Sequence, residues 1–255
     1  MIISGSEFIV FIFGLLIGSF LNCLIWRLHT GESMMGRSYC PKCRAQLAWF
    51  ENIPLFSWLF LRGHCRHCGR SILWQYPAVE LATALLFVLA LRVNLAAEIF
   101  SPWQLARDIF LICVLIIIFV IDLRWYLILD KVTLPASALV LGLNIYLGGD
   151  WKYLLLSGII GAGFFYAQFV LSRGRAVGGG DIRLGLLMGF ALGFPGIIEA
   201  LAIAYLIGAP VGIALILLGK KGMKSEVPMG TFLTVATLIV LFYGEALLKW
   251  YVGIF

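Results

Sequence analysis

The feature that most constrains the fold is a series of apolar segments, each long enough to cross a bilayer, that recurs along almost the whole chain. A transmembrane helix needs about 20 predominantly apolar residues. Hydrophobic residues make up 62% of the 255, against about 45–50% in soluble domains. One cleaved signal peptide cannot explain so many segments, and residues 1–7 carry no basic residue. The sequence therefore predicts an all-α polytopic membrane protein.

The apolar segments divide into eight predicted spans, with the sixth and seventh separated by the sequence "GFPG" at Gly193–Gly196. The break matters because the sixth segment is short for a membrane crossing. The spans are 8–26, 76–92, 104–124, 132–148, 152–172, 183–195, 197–218 and 230–252.

The basic residues are distributed unevenly between the two sides that eight spans define. Fifteen of the 19 fall on one side, and the other side holds Arg92, Arg107, Lys152 and Lys249. If the sixth and seventh spans formed one helix, three lysines would change sides, and the basic residues would divide 12 against 7. The three are Lys220, Lys221 and Lys224. Because cytoplasmic loops are enriched in Lys and Arg, we expect the larger set in the cytoplasm and both termini outside it. We attribute the net charge of +6 to this enrichment of basic residues in the cytoplasmic loops, and we expect no nucleic-acid partner.

The one long polar segment, residues 28–75, lies between the first two spans and contains two Cys-x-x-Cys pairs separated by 21 residues. Each pair places two thiolates on one turn, and two pairs supply the four-sulfur shell of a structural zinc site, or less often an iron site. The four cysteines are Cys40, Cys43, Cys65 and Cys68. Unpaired thiols or a redox pair are the alternative, and His64 or His67 could replace a cysteine as ligand.

Two aspartates are predicted at the cytoplasmic ends of spans. Asp122 ends the third span, and Asp181 opens the sixth directly after the glycines of "GGGD", Gly178–Gly180. Two carboxyl groups near a low-dielectric boundary ionise at separate pKa values, which suits one as base and one as acid. The glycines would let a substrate backbone approach closely. Alternatively, the acids cap helices or pair with Arg124 and Arg183, and we expect Asp130 to cap the fourth span.

Several blocks spread over almost the whole chain resemble the type IV prepilin peptidase family, the bifunctional prepilin leader peptidases and N-methyltransferases. The blocks are "GLLIGSFLNCLIWRL", "CPKC", "ENIPLFSWLFLRGHCRHCG", "YPAVELATAL", "IDLRWYLILDKVTLP", "GGGDIRLGLLMG" and "VPMGTFL". The "GxGD" motif alone is shared with presenilin-like proteases, and the four-cysteine insertion matches the bifunctional enzymes. Two departures are small: "ILD" stands where "LPD" is common, and "VPMG" where "IPFG" is common.

The resemblance implies that Asp122 and Asp181 form a catalytic pair that cleaves the basic leader of type IV prepilins or type II secretion pseudopilins. Cleavage would take place at the cytoplasmic face of the bacterial inner membrane. The new N-terminal residue would then be methylated with S-adenosylmethionine. The implied domains are a first transmembrane helix (1–27), a cytoplasmic zinc domain associated with methyl transfer (28–75) and a membrane-embedded aspartic peptidase body (76–255).

The methyl-donor site is less defined, because no glycine-rich dinucleotide-binding motif is present. Glu51 and Glu80 could bind or deprotonate the amine, or they could be simple surface or helix-start acids. Two alternative functions are left open. One is an intramembrane aspartic protease with another substrate, which leaves the cysteines unexplained, and the other is an ion- or proton-coupled transporter. The transporter predicts no processing of a prepilin.

Overall fold

The structure is a computed structural model that describes residues 5–97, 99–175, 177–218 and 227–253. These parts contain nine α-helices and one 3-10 helix, Trp49–Asn52, with no β-sheet beyond two isolated bridges. The α-helices are α1 (Gly5–Thr30), α2 (Phe56–Phe60), α3 (Gln75–Ala96), α4 (Pro102–Trp125), α5 (Asp130–Tyr146), α6 (Trp151–Ser172), α7 (Gly179–Leu192), α8 (Gly196–Leu217) and α9 (Met229–Val252). The all-α prediction is confirmed.

Every helix except the short α2 corresponds to one of the eight predicted spans. Within the described ranges, six helices are long and apolar enough to cross a membrane: α1, α3, α4, α6, α8 and α9. The prediction of a multi-pass membrane protein is therefore confirmed. Helix α5 has 17 residues and α7 has 14, so eight crossings and the orientation of the termini stay predictions.

The predicted break between the sixth and seventh spans is confirmed, since α7 ends at Leu192 and α8 begins at Gly196. The predicted start of the sixth span at residue 183 is wrong by four residues. Gly178 caps α7, and Gly179 and Gly180 are already helical. The predicted span excluded all three glycines, but the N-terminus of a helix tolerates glycine. Three of the basic residues counted above lie outside the described residues: Lys220, Lys221 and Lys224.

The contacts divide the chain into two compact units, Met1–Ser101 and Pro102–Phe255. Helix α3 belongs to the first unit together with α1, whereas the predicted domains place it in the peptidase body. The assignment of one activity to residues 28–75 and the other to 76–255 stays a prediction.

In the first unit, α1 and α3 pack closely because α1 presents two glycines one turn apart. A side chain at Gly14 would place its Cβ 2.5 Å from the Cα of Ala84, and one at Gly18 would place it 2.6 Å from the Cα of Glu80. Small residues spaced four apart let two membrane helices approach at backbone distance. The Asn22 amide donates to the carbonyl oxygen of Tyr76 at 3.0 Å, which fixes α1 beside the start of α3.

The second unit has a matching glycine seam, between α6 and α7. A Cβ at Gly185 would lie 2.5 Å from the carbonyl oxygen of Gly161, and one at Gly189 would lie 2.2 Å from that of Ser157. Helix α7 also packs against α5 and α9, and α9 packs against α4 and α8. The seam therefore holds α7, the helix that carries Asp181, directly against the backbone of α6.

A polar cluster joins α4, α5 and α7 at the end of the second unit opposite Asp122 and Asp181. The Arg107 guanidinium donates to the Asp108 carboxylate at 2.6 and 2.9 Å and to the Asn144 side-chain oxygen at 2.7 Å. The Asn144 amide donates to the carbonyl oxygen of Phe190 at 2.6 Å. Both members of the ion pair are largely buried, so this cluster fixes the far ends of the helices that bear the two aspartates.

The α6–α7 seam predicts that Gly189→Ala destabilises the protein, because the added methyl group has no room against the α6 backbone. Overpacking of this kind costs about 1–3 kcal/mol. The matched control is Gly163→Ala on α6, where nothing lies within 4 Å of the added carbon. We expect the midpoint of thermal unfolding in detergent to fall for the Gly189 variant and to stay at the wild-type value for the control. Equal midpoints for both variants would contradict the seam.

Candidate functional site

The four cysteines of the insertion converge, as the sequence predicts. Their sulfur atoms all lie within 4.8 Å of one another, with Cys40 and Cys65 buried and Cys43 and Cys68 exposed. In a tetrahedral site with Zn–S bonds of about 2.3 Å, the sulfur atoms are about 3.8 Å apart. All four thiols are free, so the cluster fits a metal ion after a small contraction. His64 and His67 are not among the converging ligand groups in the described parts of the chain.

The two cysteine pairs form the same local turn. In the first, the N–H of Cys40 donates to the carbonyl oxygen of Ala45 at 2.9 Å, and the N–H of Arg44 donates to that of Cys40 at 2.9 Å. The second turn repeats both bonds 25 residues later, from Cys65 to Arg70 at 2.8 Å and from Gly69 to Cys65 at 2.9 Å. The residue after the second cysteine has a positive φ in both turns, 61° at Arg44 and 66° at Gly69. Each turn thus points two sulfur atoms to one centre.

The cluster also prepares one thiol for metal binding. Burial opposes ionisation of Cys40, but hydrogen bonds from the backbone of Cys43 and Lys42 and from the thiols of Cys65 and Cys43 outweigh it. The pKa of Cys40 falls from 9.0 to about 7. With this pKa, Cys40 carries a substantial thiolate fraction at neutral pH. The thiolate is the form that binds a metal.

The second group of interest is the pair of carboxyl groups at Asp122 and Asp181. Asp122 lies in the last turn of α4 and Asp181 in the first turn of α7, with exposed fractions of 5% and 8%. The two groups are close enough for the charge on Asp181 to act on Asp122. Within the described ranges, neither takes part in an ion pair. The structure therefore brings together two buried acids that lack a basic partner there.

Each carboxylate instead accepts a backbone N–H at a helix N-terminus. The N–H of Thr231, in the first turn of α9, donates to Asp122 Oδ2 at 2.8 Å. The N–H of Gly178, the cap of α7, donates to Asp181 Oδ2 at 3.0 Å. A helix N-terminus carries partial positive charge and stabilises an anion. Each acid thus has a backbone donor where a buried ion pair would have a basic side chain.

The alternative in which the acids pair with Arg124 and Arg183 is wrong. Arg183 pairs with Asp130 across α7 and α5, and the Arg124 guanidinium lies 4.7 Å from the ring centre of Trp125. The prediction that Asp130 caps the fourth span is wrong, because the cap of α5 is Leu129 and Asp130 is the first helical residue; its carboxylate pairs with Arg183 instead. Only the capping part of the alternative survives, at Asp181.

Sequence reasoning assigned no role to Gly230 and Thr231, although "VPMG" was noted. A Cβ at Gly230 would lie 2.9 Å from Asp122 Cγ, so only glycine lets the N-terminus of α9 reach this carboxyl group. The sequence signal was the proline at Pro228 directly before an apolar run, which marks the start of a helix. What the sequence did not show is that this helix start faces Asp122.

The three glycines before Asp181 have different surroundings. A side chain at Gly179 would meet nothing within 4 Å, and one at Gly178 would meet only Asp181 and the next peptide. A Cβ at Gly180 would lie 2.7 Å from Cβ of Ile128, whose Cδ1 would in turn lie 3.1 Å from a Cβ at Gly230. Ile128 therefore fills the space between the backbones that flank the two acids, and open space remains at Gly178 and Gly179.

In the first unit, Glu51 and Glu80 are both held by backbone of the insertion. Glu51 accepts the N–H of Ala48 at 2.7 Å, and its side chain is 3% exposed. Glu80, which is buried, accepts the N–H of Leu55 at 2.8 Å and the hydroxyl of Ser19. The surface-acid alternative is therefore wrong for both. The helix-start alternative fits Glu51, which lies in the first turn of the 3-10 helix, and Glu80 links α1, α3 and the insertion.

Two family models match the chain. Residues 12–93 match the model described as "Bacterial Peptidase A24 N-terminal domain", which covers most of α1, the cysteine insertion and most of α3. Residues 109–213 match the model described as "Type IV leader peptidase family", which includes Asp122 and Asp181. No solved structure matches the chain.

Curated relatives named "Prepilin leader peptidase/N-methyltransferase" match nearly end to end. The protein of Aeromonas salmonicida (strain A449) is 34% identical over 276 residues, with 96% of this chain and 93% of the relative covered. That of Aeromonas hydrophila is 35% identical, covering 95% and 92%, and that of Bacillus subtilis (strain 168) is 33% identical, covering 96% and 97%. The chain belongs to the type IV leader peptidase family, with the N-terminal domain of the bifunctional members.

Proposed function

We propose that this protein is an aspartic leader peptidase and N-methyltransferase. It removes the basic leader of a type IV prepilin or type II secretion pseudopilin and then methylates the new N-terminal residue. The observation that carries the proposal is the pair of buried, electrostatically interacting carboxyl groups at Asp122 and Asp181, each held by a helix N-terminus. The names of the full-length relatives support both the substrate class and the second activity.

In the peptidase reaction, Asp122 and Asp181 hold a water molecule against the scissile carbonyl carbon. One carboxylate takes a proton from the water as its oxygen forms the new bond, and the other carboxyl group protonates the leaving amine when the C–N bond breaks. Hydrogen bonds from Thr231 and Gly178 keep the carboxyl groups oriented during this exchange. No metal takes part in these steps.

The open space at Gly178 and Gly179 suits the approach of an extended substrate backbone. A Cβ at Gly178 would lie 3.7 Å from Asp181 Oδ2, and one at Gly179 would meet nothing within 4 Å, so a substrate segment has room along this backbone. Gly180 has another role, because Ile128 occupies the space beside it. The three predicted substrate-approach glycines thus divide into two for the substrate and one for packing.

Methyl transfer is assigned to the first unit, with residues 28–75 as its cytoplasmic domain. S-adenosylmethionine, when bound, supplies an electrophilic methyl group to a neutral amine. The exposed rings of Trp49 and Trp74 are of the kind that stacks on an adenine. The cysteine cluster would hold a structural zinc, since four thiolates leave no open coordination position.

The protein is placed in the bacterial inner membrane with the cysteine domain and the two aspartates on the cytoplasmic side. The support is the distribution of basic residues, 15 against 4, and the positive-inside rule. The same side carries the basic leader of a prepilin, so the enzyme and the scissile bond meet at one membrane surface.

Replacing either proposed catalytic aspartate tests the peptidase assignment. Asp122→Asn and Asp181→Asn should each lower the rate of leader cleavage by at least about 100-fold, since general acid–base groups contribute on that order. The matched control is Asp130→Asn, an exposed acid near the same helix ends, which should retain the rate. Cleavage of a purified prepilin in detergent is followed by electrophoresis. A fully active variant at either catalytic position would refute the assignment.

The metal assignment is tested separately by elemental analysis of purified protein. We expect about one zinc per chain, because four thiolates complete one tetrahedral site. Cys40→Ser should remove most of the metal, and Cys23→Ser, which changes a thiol on α1 outside the cluster, should retain it. If the protein contains iron, the site binds iron and the assignment of zinc is wrong. If wild-type protein contains neither metal, the proposal of a metal site is wrong.

A further inference from the structure

The second unit contains an apolar groove between α4, α8 and α9, with a volume of about 420 Å³. We call it the lateral groove; its walls include Leu123 from α4, Val211 from α8, and Phe232 and Val235 from α9. Lining residues lie four positions apart on each helix, which is the spacing of one helix face: Phe119 and Leu123 on α4, Ile207, Val211 and Leu215 on α8, and Thr231 and Val235 on α9. Leu123 and Val211 are 51% and 40% exposed, so the groove is open along its length.

The lateral groove suits hydrocarbon and offers little to a polar ligand. Its lining has two polar side chains, those of Tyr126 and Thr231. The hydroxyl of Thr231 already donates to the carbonyl oxygen of Pro228, and its backbone N–H is bound to Asp122. An occupant is therefore held by apolar contact.

One end of the lateral groove lies at the proposed catalytic pair. On the α4 side, the wall residue Leu123 directly follows Asp122. On the α9 side, the wall residue Thr231 donates its N–H to the Asp122 carboxylate at 2.8 Å. The groove and the carboxyl group thus share the same backbone, so a segment lying in the groove has one end beside Asp122.

The length of the lateral groove indicates how much of a chain it takes. Its α8 wall runs from Ile207 to Leu215, nine residues whose ends lie about 12 Å apart along the helix axis. An occupant helix would therefore place about two turns of apolar side chains in it. A prepilin has its hydrophobic stem directly after the cut, so the residues nearest the scissile bond are of the right polarity and extent.

We propose that the lateral groove binds the first two turns of the hydrophobic stem of the substrate and so sets the position of the scissile bond over Asp122 and Asp181. The proposal rests on the proposed peptidase function. The stem enters sideways from the bilayer, its apolar side chains replace lipid in the groove, and the leader remains in the water phase. Val211, Phe232 and Val235 are then residues that determine substrate position and take no part in bond breaking.

Photo-crosslinking tests the location directly. Benzoylphenylalanine is placed at Val211 or, as the matched control, at Ile213, which is also exposed on α8 but points about 200° away around the helix. Both proteins carry Asp181→Asn, so that a co-expressed type IV prepilin stays uncleaved. We expect crosslinks to the prepilin stem, identified by mass spectrometry, from Val211 and at least tenfold fewer from Ile213. Equal crosslinking from both positions, or only phospholipid adducts at Val211, would overturn the proposal.

A kinetic measurement separates this proposal from the proposed function. Val211→Trp should raise KM for a full-length prepilin at least tenfold and leave kcat/KM unchanged for a short peptide that ends soon after the cut. Ile213→Trp should change neither value, and thermal unfolding of both variants checks that they fold. Absence of cleavage by the wild-type protein would refute the peptidase function itself. Active wild-type protein with equal KM values for both tryptophan variants would refute the groove alone.

Discussion

The structure of the second unit depends on how two acids are kept within a low-dielectric helix bundle. A buried carboxylate without a partner is costly, and in the described parts of the chain neither Asp122 nor Asp181 has a basic one. The N-termini of α9 and α7 each supply one backbone N–H donor in its place. These donors offset part of the cost of burying a carboxylate and orient the two groups.

Holding two helix N-termini at this point places strict demands on packing. Gly230 lets α9 reach Asp122, and Gly180 makes room for Ile128 between the two flanking backbones. At the other end of the unit, the buried cluster around Arg107 and Asn144 ties α4, α5 and α7 together. The glycine seam with α6 holds α7 along its length. The positions of the acids are thus fixed at both ends of the helices that carry them.

The sequence was sufficient for most of the helices, the cysteine cluster and the placement of the two acids at helix ends, because apolar length, ligand spacing and the motif at Asp181 are local signals. It was insufficient for contacts that depend on which helix ends meet. The role of Gly230 depends on α9 beginning beside α4, and the packing role of Gly180 depends on Ile128, 52 residues earlier. The predicted span start at residue 183 left Gly179 outside the helix, because glycine is a poor helix former within a helix, whereas the first turn tolerates it.

In the proposed function, cleavage at the acid pair exposes the amine that is then methylated. Co-expression of the wild-type protein with a prepilin, followed by intact-mass analysis of the processed substrate, tests this account most directly. The account predicts a mass decrease equal to the leader together with the gain of one methyl group on the new N-terminal residue. A substrate that keeps its leader, or is cut at another position, would contradict it.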